Sequence, residues 1–217
     1  MNKRIQGVAF DVHNVLFKPD YQEIALIAWK LPNKLHLIIT IINPRFIFSA
    51  IKMAKQTGLG HQYLQNLFKQ FPRLAQHEQF IFGVICAQKP IQCCFNIATQ
   101  IKSNGIQLYI FSNMDMRMLK TLRSKYPELF SLFDEIHCVG PDSNWEQKPS
   151  RASFLVFLKK FSLHAPEIIF VDNSPRNISA ARKIGMQTIL YKNCAQLKRA
   201  VTQLNILTGH FGTMLKK

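Results

Sequence analysis

The sequence predicts an α/β fold, a doubly wound parallel sheet with a helical cap inserted near its beginning. Three features lead to this prediction. From Gln107 onward, short β-prone apolar segments alternate with amphipathic segments of helix length. One further strand-like segment, at residues 8–10, lies far upstream of them. Between the two, residues 18 to about 100 contain Leu-, Ile- and Phe-rich helical stretches instead.

The first predicted strand belongs to the run VAFDVHNVLF, residues 8–17. Three β-prone residues followed by Asp11 are typical of a buried strand that ends on a carboxylate. In a parallel sheet, ligands bind beyond the carboxyl ends of the strands. Asp11 is therefore well placed to meet a ligand.

The second half of the chain supplies the other strands and their connecting helices. The predicted elements are the strand 107–112, the helix 114–126, the strand 135–139, the helix 150–163, the strand 167–172, a helix through SPRNISAARKI that ends at Gly185, and the strand 187–191. Strands separated by helices of this length imply right-handed crossovers and a parallel sheet.

The predicted cap lies between the first strand and the rest of the sheet. Its helical stretches are interrupted at Pro32, Pro44, Gly58-Leu59-Gly60 and Pro72. We expect an α/β core made of residues 1–17 and 101–217, and a helical cap made of residues 18–100. Since the cap follows the Asp11 loop directly, we expect it to cover the site.

The most apolar part of the predicted cap is LHLIITIINPRFIFSAI, residues 35–51. Asn43-Pro44-Arg45 divides it, so neither half reaches the roughly 20 residues of a membrane-spanning helix. Two buried helices are expected. The alternative is a hairpin that dips into a membrane, assisted by the lysines at positions 30, 34, 52 and 55.

The composition is strongly basic, with 28 Lys and Arg against 12 Asp and Glu, a formal net charge of +16. Such a charge favours phosphate-rich partners, namely nucleic acid, an anionic membrane or phosphorylated substrates. The alternative is a scatter of basic residues over solvated faces. Because no recognition-helix or zinc-finger pattern accompanies the charge, no specific nucleic-acid partner is expected.

Cysteine usage and the N-terminal segment predict a cytoplasmic protein. The five cysteines contain no CxxC pair, and their odd number argues against a disulfide framework. A reducing compartment is the simpler interpretation. Asp11 and His13 interrupt the first apolar stretch, so it does not form the apolar region of a signal peptide.

Polar residues follow the predicted strands in a definite order. Asp11 comes first, then Ser112-Asn113, then Lys148-Pro149, and finally Asp172-Asn173. This order resembles the four motifs of the haloacid dehalogenase (HAD) superfamily, and the resemblance covers most of the chain. The segment KPSRASF…IIFVDNSPRNISAARKIGM is closest to the ending of the phosphatase branch.

The resemblance implies a role for each of these residues. Asp11 would attack phosphorus and form an aspartyl-phosphate. Ser112 and the backbone around Asn113 would hold the phosphoryl oxygens, while Lys148 would neutralise their charge and keep Asp11 ionised. The family's usual metal is Mg²⁺, which Asp11, the His13 carbonyl and the Asp172-Asn173 pair would bind.

Two positions depart from the phosphatase pattern D-x-D…DD. His13 occupies the position of the second Asp, the general acid and base. Histidine can do both, because its reference pKa of about 6.5 is near neutrality. Asn173 occupies the usual position of the metal carboxylate. We therefore expect weaker metal binding, or a metal bound by Asp172 instead.

Several alternatives remain open from the sequence. Asp11 as the cap of a turn, His13 as a loop histidine, Lys148 as a solvated loop lysine and Asp172 as a helix N-cap are the structural ones. The functional alternatives are a metal-free, dehalogenase-like hydrolase and a non-catalytic binding protein on the same fold. The expected partner is a small phosphate ester or a phosphoprotein; the resemblance includes phosphotyrosine phosphatases that pathogens deliver into host cells.

Overall fold

The computed structural model describes residues 4–30, 43–57 and 61–207. Its centre is a five-stranded parallel sheet of strands β1 (Gly7–Phe10), β4 (Gln107–Asp115), β5 (Glu135–Val139), β6 (Ile168–Asp172) and β7 (Gln187–Leu190). The strand order is β5-β4-β1-β6-β7. The predicted fold class is confirmed, and the strand that carries Asp11 lies in the middle of the sheet.

Helices cover both faces of this sheet. They are α5 (Gln92–Ser103), α6 (Met116–Lys125), the short α7 (Pro127–Phe130), α8 (Arg151–Lys160), α9 (Pro175–Lys183) and α10 (Cys194–Gln203). The predicted helices 114–126, 150–163 and 174–184 correspond to α6, α8 and α9, each one to three residues shorter at its ends. As predicted, Gly185 follows α9, and its φ of 91° is one that glycine adopts without strain.

The central strand β1 places alternate side chains in two cores. Val8 and Phe10 belong to one cluster of buried residues, whereas Ala9 belongs to the cluster on the opposite face. This alternation follows from the period of two along a strand. Close packing is also visible at Gly7, where an added Cβ would lie 2.6 Å from the Tyr109 ring.

Strand β4 is longer than predicted, since it continues past Ser112 to Asp115. Its pairing with β5 is irregular between Phe111 and Asp115. The Asp115 side chain accepts a hydrogen bond from the Met118 backbone N–H (2.9 Å), so Asp115 caps α6 and delays its start to Met116. Sequence pattern alone did not distinguish this irregular strand end from the first turn of the helix.

The residues between β1 and α5 form a small antiparallel ribbon and a group of helices. The ribbon pairs β2 (Phe17–Pro19) with β3 (Gln88–Pro90). The helices are α1 (Tyr21–Trp29), α2 (Pro44–Thr57), α3 (His61–Gln70), a 3₁₀ segment (Pro72–His77) and α4 (Glu78–Cys86). Tyr63, Leu64, Leu67 and Leu74 form the centre of their own apolar cluster.

Helix α5 packs on the sheet, although most of it falls within residues 18–100. Its buried residues Phe95, Ala98 and Ile101 belong to the same cluster as Val8 and Phe10 of β1. The cluster with separate packing is formed by α2, α3, the 3₁₀ segment and part of α4. We use the word cap for residues 20–86.

The burial expected for residues 35–51 is wrong for the helix that the structure describes there. In α2, Ile47 is 45% exposed and Phe48 is 70% exposed. Residues 35–42 lie outside the described residues. No helix among the described residues is both long enough and apolar enough to span a bilayer.

No disulfide framework was expected from the cysteine count, but one pair of cysteines is bonded. Cys93 and Cys194 are bonded, with their Cα atoms 6.1 Å apart, and they tie the start of α5 to the start of α10. The two residues are 101 positions apart in sequence. Only the packing of the two helix starts brings them together, which neither the number nor the spacing of cysteines reveals.

Candidate active site

Parallel strands bring Asp11, Ser112 and Asp172 to the same edge of the sheet. Phe10, the last residue of β1, is paired with Ile110 on one side and with Val171 on the other. The Asp11 backbone N–H continues the ladder by donating to the Val171 carbonyl at 2.9 Å. The predicted convergence of these strand ends is therefore present in the structure.

Lys148 reaches this edge from the loop before α8, and its ammonium group lies between the two aspartates. The Nζ atom donates hydrogen bonds to Asp11 Oδ1 (2.9 Å), Asp172 Oδ2 (2.9 Å) and the Phe111 carbonyl (2.6 Å). Only 4% of Lys148 is exposed. The alternative of a solvated loop lysine is therefore wrong.

The electrostatics of the three groups are coupled. Burial raises the pKa of Asp11, the Asp172 carboxylate raises it further, and the Lys148 ammonium opposes both. Burial disfavours the charged form of Lys148, but the carboxylates of Asp11 and Asp172 outweigh this and raise the pKa of Lys148. Lys148 is therefore a permanent cation at neutral pH.

The backbone of Lys148 is held by the side chain of Asn113. Asn113 Nδ2 donates to the Lys148 carbonyl at 2.7 Å, and the Lys148 N–H donates to Asn113 Oδ1 at 2.8 Å. The Lys148 ammonium also lies 5.0 Å from the centres of the Phe111 and Phe170 rings. The side chain of Asn113 thus positions Lys148. Only the backbone of Asn113 is therefore left to bind a substrate.

Asp172 is fully buried and heavily hydrogen-bonded. Its Oδ1 accepts from the Ser174 N–H at 2.7 Å, and its Oδ2 accepts from Asn177 Nδ2 at 2.9 Å as well as from Lys148. The N-cap of α9 is Ser174, whose hydroxyl accepts from the Asn177 N–H. The alternative that Asp172 caps this helix is therefore wrong.

Ser112 and Asn173 present polar groups beside these charges. Ser112 is buried, and its Oγ accepts a hydrogen bond from the Met114 N–H at 3.1 Å. Its hydroxyl hydrogen remains able to donate. Asn173 is exposed, and its side chain forms no hydrogen bond with the rest of the described chain.

His13 lies in the loop after Asp11 and contacts a residue at the end of the cap. Its Nδ1 is 3.3 Å from Gln88 Oε1. Gln88 is itself buried and donates from Nε2 to the Ile85 carbonyl at 3.1 Å. The structure therefore joins His13 to the junction between α4 and β3.

A family model for haloacid dehalogenase-like hydrolases matches residues 5–185, which include every residue of this site. The chain belongs to this family. The resemblance drawn from the order of the four motifs is confirmed.

Solved structures of HAD enzymes share the fold. The L-2-haloacid dehalogenase of Xanthobacter autotrophicus with chloropropionic acid covalently bound is 16% identical, covers 93% of this chain and 84% of its own, and has a TM-score of 0.60. A HAD family enzyme of Bacteroides thetaiotaomicron in complex with magnesium and inorganic phosphate is 14% identical, with 87% and 94% covered and a TM-score of 0.61. One neighbour is a dehalogenase and the other binds magnesium and inorganic phosphate; at these identities they establish the fold and leave the reaction open.

One curated relative is a much longer protein. Drimenol cyclase drtB of Aspergillus calidoustus is 28% identical over 105 residues. That stretch is 48% of this chain but only 19% of the relative. The match therefore spans about a fifth of the length of the relative. The name drimenol cyclase describes that whole, longer protein.

The oxygen atoms at the strand ends fit a magnesium ion. Asp11 Oδ2 has no side-chain partner among the described residues, and Asn173 presents a side-chain amide oxygen. Three of the four lone-pair sites of Asp172 accept hydrogen bonds, so Asp172 is a poorer ligand than its neighbour. Mg²⁺ takes oxygen ligands, often with one or two carboxylates, and completes its shell with water and substrate phosphate.

Sequence reasoning missed two residues of the site. Asn177 supports Asp172, and its place on the first turn of α9, five residues after Asp172, was visible in the motif. Gln88 contacts His13 across 75 residues of sequence. No local pattern indicates such a contact, because it depends on how the end of the cap returns to the sheet.

Proposed function

We propose that this HAD hydrolase is an Mg²⁺-dependent phosphomonoester hydrolase that acts through an aspartyl-phosphate on Asp11. The observation that supports it best is the buried trio in which Lys148 Nζ lies 2.9 Å from carboxylate oxygens of both Asp11 and Asp172. The trio contains a carboxylate that can attack and a fixed cation beside it. Asp172, tied by its hydrogen bonds, holds that cation in place.

The charge of the trio supports a metal-dependent reaction. Two carboxylates and one ammonium carry a formal net charge of −1. A phosphate monoester is itself an anion, so it would be repelled unless a further cation entered with it. Asp11, the His13 carbonyl and the Asn173 amide oxygen would hold Mg²⁺, which supplies charge stabilisation at the phosphoryl oxygens.

In the first half of the reaction, Asp11 Oδ2 attacks phosphorus and the bond from phosphorus to the ester oxygen breaks. Ser112 donates its hydroxyl hydrogen to a phosphoryl oxygen, and Lys148 stabilises the negative charge that develops on the others. His13, in its protonated form, gives a proton to the departing oxygen, which leaves as an alcohol.

In the second half, a water molecule attacks phosphorus of the aspartyl-phosphate. Neutral His13 accepts the proton of that water, Asp11 is released as a carboxylate, and inorganic phosphate leaves. His13 thereby regains the proton that it gave up. Gln88 contacts Nδ1 of the imidazole and would restrain its orientation during both steps.

The proposed substrate is a small phosphate ester, because the cap follows the nucleophile loop and would limit access. A phosphoprotein is the second candidate, supported by an open groove of about 560 Å³ whose lining includes Pro149, the residue after Lys148. The lining also includes Arg151, Arg176 and Lys183 but no acidic residue. Such a groove suits a substrate with further anionic groups.

A metal-free, dehalogenase-like reaction is the alternative, and the absence of a carboxylate at positions 13 and 173 favours it. In that reaction Asp11 would attack carbon and displace halide. A screen of sugar phosphates, nucleotides, p-nitrophenyl phosphate, phosphopeptides and 2-haloacids, each with Mg²⁺ and with EDTA, distinguishes the two.

The proposal expects phosphate release that requires Mg²⁺ and falls by several orders of magnitude in Asp11→Asn. Asp142→Asn, at an exposed ion pair with Lys160, is the matched control and should stay active. Halide release without metal would replace the proposal by the dehalogenase reaction. No turnover of any of these compounds would favour a binding protein.

A further inference from the structure

Helix α1 exposes a large apolar surface. Tyr21, Leu26 and Trp29 are 75%, 61% and 79% exposed. Their spacing places them along one side of the helix. Ile27 faces the other way, where its Cδ1 lies 3.8 Å from the position that a Cβ on Gly83 of α4 would occupy.

Helix α2 repeats this arrangement with basic residues added. Phe46 packs towards the apolar cluster inside the cap, with its ring centre 5.2 Å from that of Phe71. Ile47 and Phe48 are exposed on the other side, together with Arg45 and Lys52. We call the exposed residues of the two helices the outer cap face: Tyr21, Leu26, Trp29, Lys30, Arg45, Ile47, Phe48 and Lys52.

The stretch of sequence that contains most of the outer cap face carries only positive charges. Residues 24–77 contain no Asp or Glu, but they contain seven basic residues, Lys30, Lys34, Arg45, Lys52, Lys55, Lys69 and Arg73. The two acidic residues just before this stretch are engaged by cations, since Glu23 pairs with Lys125 and Asp20 lies 3.6 Å from Lys89. This charge is complementary to an anionic surface.

The residue types also select the kind of partner. Trp and Tyr prefer the boundary between lipid and water, where Lys and Arg reach the headgroups. In the sequence, positions 31–42 contain seven Leu or Ile. Since no described helix can span a bilayer, these features suit a structure that lies on the membrane rather than one that crosses it.

We propose that the outer cap face binds the surface of a membrane that contains anionic lipids. Binding inserts Tyr21, Leu26, Trp29 and Phe48 at the level of the headgroups, while Lys30, Arg45 and Lys52 contact lipid phosphates. The inference does not depend on the reaction at Asp11. It holds equally for a phosphatase and for a dehalogenase.

The two tryptophans of the chain provide a direct test. Trp29 lies on the outer cap face, whereas Trp145, 57% exposed, lies in the loop before Lys148. Trp145→Phe leaves Trp29 as the sole fluorescent tryptophan, and Trp29→Phe leaves Trp145. With phosphatidylcholine vesicles containing phosphatidylserine, we expect a blue shift of the Trp29 emission and none of the Trp145 emission.

Vesicle sedimentation supplies the second measurement. Binding should require phosphatidylserine, weaken as salt rises, and fall at least tenfold in partition coefficient in Leu26→Gln/Phe48→Gln and in Arg45→Glu/Lys52→Glu. Leu155→Gln and Lys159→Glu, on the exposed side of α8, are the matched controls and should bind like the wild type. Circular dichroism confirms that each variant is folded.

Three results would overturn the proposal. The first is no binding of wild-type protein to anionic vesicles, which would leave the face to a protein partner. The second is equal binding to vesicles without phosphatidylserine. The third is a blue shift of Trp145 without one of Trp29, which would place the membrane contact elsewhere on the molecule.

Discussion

The side-chain amide of Asn113 forms two hydrogen bonds with the backbone of Lys148, at 2.7 and 2.8 Å. Asn113 lies in the irregular end of β4, whereas Lys148 lies in the loop before α8. These hydrogen bonds therefore hold the backbone of Lys148 in the position from which its ammonium group reaches Asp11. Asn113 acts on the site through Lys148 rather than by contact with the reacting atoms.

The first prediction concerns this pair. Asn113→Ala removes both hydrogen bonds, so Lys148 should lose its fixed position, and kcat should fall roughly 10- to 100-fold with a smaller change in KM. Steady-state kinetics on the best phosphate ester measures this. Asn104→Ala is the matched control, because the Asn104 side chain likewise forms two hydrogen bonds with the backbone, by donating to the carbonyls of Gln100 and Ile206 in another part of the protein. It should cost similar stability and leave kcat unchanged; an equal loss of kcat in both variants would refute a positioning role for Asn113.

The second prediction concerns the metal ligand at position 173. Asn173→Asp adds a carboxylate at an exposed position, so Mg²⁺ should bind at least about tenfold more tightly. Isothermal titration of Mg²⁺ into the protein without substrate measures this independently of turnover. Asn193→Asp, at the N-cap of α10, is a control for added negative charge and should leave Mg²⁺ affinity unchanged. Unaltered affinity in Asn173→Asp would exclude position 173 from the metal site.

The third prediction concerns the proton that the leaving group needs. His13→Ala should slow the hydrolysis of alkyl phosphates by roughly 10² to 10⁴, since a general acid contributes about that much. p-Nitrophenyl phosphate needs little protonation, so its hydrolysis should be affected far less. His77→Ala, a cap histidine, should lower neither rate. Equal effects of His13→Ala on both esters would limit His13 to its backbone carbonyl.

The fourth prediction concerns stability at low pH. His137 on β5 is buried against Phe111 and Phe157, and neither ring nitrogen has a hydrogen-bond partner among the described residues. Burial, reinforced by Lys160 and Lys148, lowers the pKa of His137 to about 4. Between pH 6.5 and 4 the unfolded chain therefore binds a proton that the folded protein does not, and stability falls as the pH falls.

His137→Phe should remove this part of the pH dependence. When the pH is lowered from 7.5 to 4.5, the free energy of unfolding of the wild type should fall by about 2 to 3 kcal/mol more than that of the variant. Urea unfolding at the two pH values measures the difference. The exposed His164, replaced by Gln, should show the wild-type pH dependence. If His137→Phe lost as much free energy of unfolding on acidification as the wild type, other groups would cause the acid sensitivity.

Much of the core follows from the sequence alone. The β-prone runs that end on Asp11 and Asp172 are short and apolar, and their burial on both faces is what a central parallel strand requires. Gly185 ends α9 because of its own backbone freedom. These features are local, so they were predictable, and so was the order of Asp11, Ser112, Lys148 and Asp172.

The tertiary structure alone decided how those residues act. It placed Lys148 between two carboxylates, turned Asn113 towards the Lys148 backbone, and set Gln88 beside His13. It also joined Cys93 to Cys194 and left Trp29 and Phe48 exposed on the cap. The physical reason is the same throughout: a hydrogen bond, a disulfide or the burial of a side chain depends on partners far away in sequence, which a local pattern of residue types does not contain.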